Sequence, residues 1–113
     1  MRVSLLLAVV LLAACGSTAA KQAEDLQSLA AEGALMAHDA GEGDDWQPYT
    51  RAHAGELAKK ASSLESKAKT EALSALARSI ARELGQLERA DPDEARALER
   101  RLEDAAKRAE QLA

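Results

Sequence analysis

Alanine and leucine carry most of the apolar content of this 113-residue chain; its only aromatic residues are Trp46 and Tyr49, and phenylalanine is absent. With few β-branched or aromatic side chains there is little from which to build a sheet, whereas Ala, Leu, Glu, Lys and Arg are good helix formers. After the first fifteen residues no segment reads as a strand. The sequence therefore predicts an all-α fold, a small antiparallel bundle of four amphipathic helices, or of three if the central helix is continuous. Alanine buries little area, so such a core is expected to be marginally stable unless the chain oligomerises or docks on a partner.

The periodicity places the elements. Leu26, Leu29, Ala30, Gly33, Met36 and Ala37 recur at three and four, which predicts a helix over 20–40 that stops near Gly41. Gly41 and Gly43 suit left-handed cap or loop conformations, making 41–45 a turn. Asp44 with Gln47 then forms a capping-box pattern with Pro48 in the first turn, opening a helix over 46–68. Trp46, Tyr49, His53, Leu57, Ala61, Leu64 and Ala68 keep to one face of it. Leu73, Leu76, Ile80, Leu84 and Leu87 fall about 100° round the wheel from that face. Either the helix breaks near 66–70 and a third runs over 71–90, or one helix of about 44 residues and about 66 Å packs its halves on different neighbours. The absence of Gly and Pro between Glu56 and Leu84 favours continuity, and a balanced domain shape favours the break.

The last helix has the clearest start. Asp91-Pro92-Asp93-Glu94 combines an N-cap, a proline at N1 and acids in the first turn, and predicts a helix over 92–112. Ala95, Leu98, Leu102, Ala105, Ala109 and Leu112 form a narrow coiled-coil seam that requires a helical partner. The third helical segment is the intrachain candidate, and a second copy of the chain could close the same seam. Arg100, Arg101, Lys107 and Arg108 complement the dipole of this helix.

Ahead of the helices, Arg2 is followed by the apolar run Leu5 to Leu12, the charged and apolar regions of an export signal. The run is too short to span a bilayer, which takes roughly 20 apolar residues. Its end, Leu12-Ala13-Ala14-Cys15, resembles the lipobox of bacterial lipoproteins. The resemblance covers the first fifteen residues only. It implies a signal peptide over 1–14, a diacylglyceryl group on the Cys15 thiol, cleavage before Cys15 and fatty acylation of the new amine. Two or three acyl chains on one residue are enough for stable anchoring. The chain then divides into 1–14 (signal), 15–19 (lipidated cysteine and tether) and 20–113 (helical domain). Gly16-Ser17 follows the cysteine with no Asp, which in the resembled family favours the outer membrane where the source has one, and otherwise the outer face of the cytoplasmic membrane. The competing reading is an ordinary secretory signal with an incidental cysteine.

Charge bounds the partners. The formal charge is −4, and −5 once Arg2 leaves with the leader. Residues 16–45 hold seven acids against Lys21 alone, whereas 46–113 carry a net +1. A basic face with stacking aromatics is not evident, so no nucleic acid partner is expected.

Two places could carry chemistry. His38 and His53, with Asp39 and Glu56, flank the first turn, and two imidazoles plus a carboxylate suit Zn²⁺ or Cu²⁺. No paired-histidine motif on one helix supports this, so only packing could assemble it; the plainer reading buries His53 beside Tyr49 and Leu57 and leaves His38 at the helix end. The acids of the turn lack the alternating ligand positions of an EF-hand. The second place is Trp46, Tyr49 and Arg51, a docking patch by composition or else the wide end of an alanine-thin core. Serines at 62, 63, 66, 74 and 79 lie on polar helical stretches without a nucleophile elbow, and there is no glycine-rich phosphate loop. The expectation is a non-enzymatic, lipid-anchored extracytoplasmic protein without cofactor apart from the lipid, held to a membrane, with an envelope protein or a second copy as partner. The alternative is a metal-binding or metal-sensing module on His38 and His53.

Overall fold

The computed structural model describes residues 18–43 and 48–113, apart from the side chain of Tyr49. They form four helices, α1 (Ala19–Gly41), α2 (Pro48–Lys67), α3 (Glu71–Leu87) and α4 (Pro92–Leu112). No strand occurs among the described residues.

Local chemistry sets the ends. Thr18 accepts from the Lys21 N–H at 3.0 Å, Thr70 from the Leu73 N–H at 3.1 Å and Asp91 from the Glu94 N–H at 2.8 Å, each as an N-cap. The central region is therefore two helices, broken at residues 68–70, because Thr70 offers its backbone a cap where the buried face changes. α3 stops at Leu87 rather than near 90, and α1 starts at Ala19, directly behind its cap. Of the two glycines after the first helix, only Gly43 has positive φ, at 76°. Gly41 is the last helical residue; a Cβ there would lie 2.9 Å from Arg96 Cγ, so its role is close approach to α4. The Asp44–Gln47 capping pattern lies outside the described residues.

The helices alternate up and down, each antiparallel to its sequence neighbour, and α4 closes antiparallel on α1. Contacts from Glu32 to His53, Glu65 to Arg78 and His38 to Glu99 fix these directions. α1 meets α4, and α2 meets α3, along the greatest lengths; α1 and α3 also touch across the diagonal, whereas α2 and α4 stay apart. The cross-section is thus a rhombus with α1 and α3 on its short diagonal.

This arrangement corrects the expected partner of the last helix. Ala95, Leu98, Leu102, Ala105 and Ala109 are buried as the seam predicts, but α1 rather than α3 is their main neighbour. Gly33, Ala30, Ala34 and Ala37 give α1 a buried face of small residues, into which leucines of α3 and α4 reach. A Cβ on Gly33 would meet Leu84 Cδ2 at 2.5 Å and Leu102 Cδ1 at 3.3 Å. The leucines of α3 fill the centre instead. The seam is thereby occupied within the chain from Ala95 to Ala109; Leu112, its expected last member, is exposed where α4 ends.

Among the described residues twelve of the 23 buried apolar ones are alanines, so the nine leucines carry most of that buried area. On α2 the buried stripe is Ala54, Leu57 and Ala61, with Leu64 and Ala68 partly buried. His53 is exposed, one position away from the stripe that was expected to include it. Among the described residues Gln22 alone of the polar ones is buried, at 2 % exposure.

Candidate functional site

His38 and His53 lie on helices that pack side by side, yet their rings are engaged in different directions. His53 Nε2 sits 2.8 Å from Glu32 Oε1, joining α2 to α1. His38 Nδ1 sits 3.1 Å from Glu99 Oε2 on α4, and its Nε2 3.4 Å from Glu42 Oε1. Glu56 is paired with Lys59 at 3.2 Å, and Asp39 is exposed. The four proposed ligands are not brought together. Among the described residues no group of three or more His, Cys, Asp or Glu is placed to hold a metal ion. Helix geometry explains why: Glu32 and His38 are six positions apart on α1, about 120° away from each other in angle, so one points towards α2 and the other towards α4. Each histidine–carboxylate pair is at least partly exposed and joins neighbouring helices, a contact of modest strength when the imidazole is protonated.

The expected aromatic patch is only partly accessible to description. Trp46 and the Tyr49 side chain lie outside the described residues. Arg51 donates from Nη1 to the Glu88 carbonyl at 2.9 Å. Glu88 caps α3, so the guanidinium serves a helix C-terminus, where a positive charge and a donor are both favourable. The serines make helix-surface bonds: Ser66 donates to the Ser63 carbonyl at 2.8 Å, and Ser79 accepts from Arg82 at 3.4 Å.

Two features escaped the sequence reading. Gln22 Nε2 donates to the Lys67 carbonyl at 2.7 Å while its Oε1 accepts from the Lys69 N–H at 2.9 Å, tying the α2–α3 connection to the first turn of α1. Its register with Leu26 and Leu29 was the available signal, a polar residue on an apolar stripe. The second is Glu83 on α3, whose Oε2 is buried without a hydrogen-bond partner. Burial raises its pKa above the usual carboxylate range, against the opposing pull of Arg101, Arg82 and Arg108.

Shallow grooves follow the two seams between the tightly packed pairs. One of about 380 Å³ lies between α3 and α4, lined by Ala72, Ala75, Leu76, Ser79, Arg108 and Leu112 among others. Another of about 390 Å³ lies between α1 and α2, where Leu29 and Leu64 form its apolar part and Asp25, Glu32 and Lys60 its rim. Neither collects a nucleophile with a base. Among the described residues no helix is long and apolar enough to cross a membrane.

With this geometry in hand, comparison with known proteins adds no relative: no family model, no curated protein and no solved structure matches the chain.

Proposed function

We propose that the protein is a lipid-anchored extracytoplasmic helical protein with an interaction or structural role in a bacterial cell envelope. The observation that carries this reading is the contiguous series Arg2, the apolar run Leu5 to Leu12 and Leu12-Ala13-Ala14-Cys15. A thioether to lipid requires a sulfur nucleophile at the membrane surface, and Cys15 is the only cysteine in the chain. The short distance in sequence from Cys15 to the Thr18 cap fits a folded domain that begins where the anchor ends. Without an Asp after Cys15, the outer membrane is the destination where the source has one.

In this reading the bundle is the exported cargo, and its exposed surface makes the envelope contacts. The seam of α4 from Ala95 to Ala109 is buried against the rest of the bundle, mainly α1, so a partner or second copy would use other surfaces. The shallow, open grooves and the dispersed histidine pairs favour a binding or structural role over catalysis.

Expression of the full chain in a bacterial host, followed by mass spectrometry of its mature N-terminus, tests the anchor. The expected N-terminal residue is Cys15 carrying a diacylglyceryl group, and Cys15→Ser should release the protein from the membrane fraction. A mature terminus elsewhere, with an unmodified Cys15 thiol, would overturn the reading. Pull-down of the lipidated form in mild detergent then tests for envelope partners.

A further inference from the structure

The fold sorts charge by height in a way the linear sequence conceals. One half of the bundle holds residues 18–29, 59–80 and 103–113 and so includes the first turn of α1, the α2–α3 connection and the end of α4. It carries eight bases against seven acids; among the described residues the other half, 30–43, 48–58 and 81–101, carries six bases against ten acids. All six lysines, at 21, 59, 60, 67, 69 and 107, lie in the first half. Of the described acids that made the N-terminal region look acidic, Glu32, Asp39 and Glu42 lie in the other half, Asp39 and Glu42 at or beside the end of α1.

At the lysine-bearing end the backbones of three lysines are brought close together. The two hydrogen bonds of Gln22 fix the Lys67–Lys69 backbone against the first turn of α1, one residue from Lys21. Lys67 and Lys69 are exposed, and Lys21 is exposed while paired with Asp25 at 3.2 Å. Only Gly16 and Ser17 separate Cys15 from the Thr18 cap of that same helix. Three extended residues reach at most about 11 Å.

We propose that this end of the bundle is a docking surface for an anionic membrane: Lys21, Lys67 and Lys69 meet headgroup phosphates while the acidic end is repelled outward, so that the bundle stands upright on its anchor. The inference rests on the lipid-anchor reading for its biological setting. Its electrostatic logic is general: an anionic leaflet attracts each nearby lysine about five-fold in partitioning, and the effect fades within a Debye length of about 10 Å at 0.1 M salt. The acidic end, about 20 residues further along α1 and hence about 30 Å away, lies outside that range. Tethering supplies the high local concentration that so few charges need.

The test couples the chain from Cys15 onward, through its own thiol, to a maleimide lipid. Vesicles are either pure phosphatidylcholine or contain about one-third phosphatidylglycerol, a fraction chosen to give a strongly negative surface. Amine-reactive labelling read by mass spectrometry should fall at least three-fold at Lys21, Lys67 and Lys69 on anionic relative to neutral vesicles, and recover at high salt. Lys59 and Lys60, further from the end, should change less. Lys67→Glu with Lys69→Glu, both on exposed sites, should abolish the protection of Lys21. Equal labelling on the two vesicles, or protection that survives high salt and the double substitution, would overturn the proposal. Because coupling is made in vitro, either result is independent of lipidation in cells; failure of that reading appears instead as an unmodified Cys15 in material from the host.

Discussion

Gln22 and Lys69 meet through a 2.9 Å bond from the Lys69 N–H to the Gln22 Oε1, forty-seven residues apart in the chain. With its second bond to the Lys67 carbonyl, the Gln22 amide replaces helix bonds lost where α2 stops and α3 has yet to begin. Gln22→Ala would leave a part-buried donor and acceptor without their partner. Each such group costs about 1–3 kcal/mol, so the expected loss is about 2–4 kcal/mol after partial access of water. Urea denaturation followed by circular dichroism reads it. A loss below about 0.5 kcal/mol would mean that solvent replaces the clasp.

Two glycines on helices should respond oppositely to alanine. Replacing glycine in a helix interior gains about 1 kcal/mol from propensity. At Gly85 a Cβ would have no neighbour within 4 Å, so that gain is realised and Gly85→Ala should raise the melting temperature. At Gly33 the new methyl would meet Leu84 Cδ2 at 2.5 Å, and Leu84 is fully buried. Overpacking typically costs 1–3 kcal/mol, about enough to reverse the sign. Thermal melts of the two variants in parallel decide it; stabilisation by both would show that the centre of the bundle yields easily.

These residues also mark what was legible in the sequence. Helix starts written in side chains next to their own backbone were readable, as at Asp91 and Pro92. Faces were readable where leucines recur, as along α3. The choice of neighbour was not: the α4 seam specifies a helical partner, but the small-residue face around Gly33 that selects α1 is a property of another segment. On α2 the apolar signal is alanine, which appears on buried and exposed faces alike, so a stripe through His53 and one through Ala54 read almost equally well. The histidine site failed for a related reason. Spacing placed both imidazoles near one turn, but their directions depend on which neighbour each helix faces.

The Thr70 cap gives a local prediction. Its hydroxyl accepts from the Leu73 N–H at 3.1 Å, with Leu73 rather than Glu or Gln at the position that would complete a capping box. Thr70→Ala should cost about 1 kcal/mol, while Thr70→Asp should retain the cap and add a favourable charge at the helix N-terminus. Equal midpoints for Thr70→Ala and the parent in urea would place the start of α3 under tertiary control alone.

Glu83 supplies the pH-dependent prediction. Its carboxyl has a pKa raised in the folded bundle by burial, with one oxygen left without a partner, although three arginines act in the opposite direction. A raised acid pKa means that the folded state binds more protons than the unfolded chain over the interval between the unfolded and folded values. Stability from this group therefore falls as pH rises from the unfolded value, near 4.5, through the higher folded value. Below that interval both states are protonated and the penalty is absent; above it the full cost of a poorly solvated carboxylate applies. Glu83→Gln keeps the shape and removes both the titration and the cost of burying a charge. The variant should melt at a higher temperature than the parent at pH 7, with the gap shrinking towards pH 4. A parent that is more stable than the variant at pH 7 would show that Arg101, Arg82 and Arg108 outweigh burial, making Glu83 an ionic tie between α3 and α4.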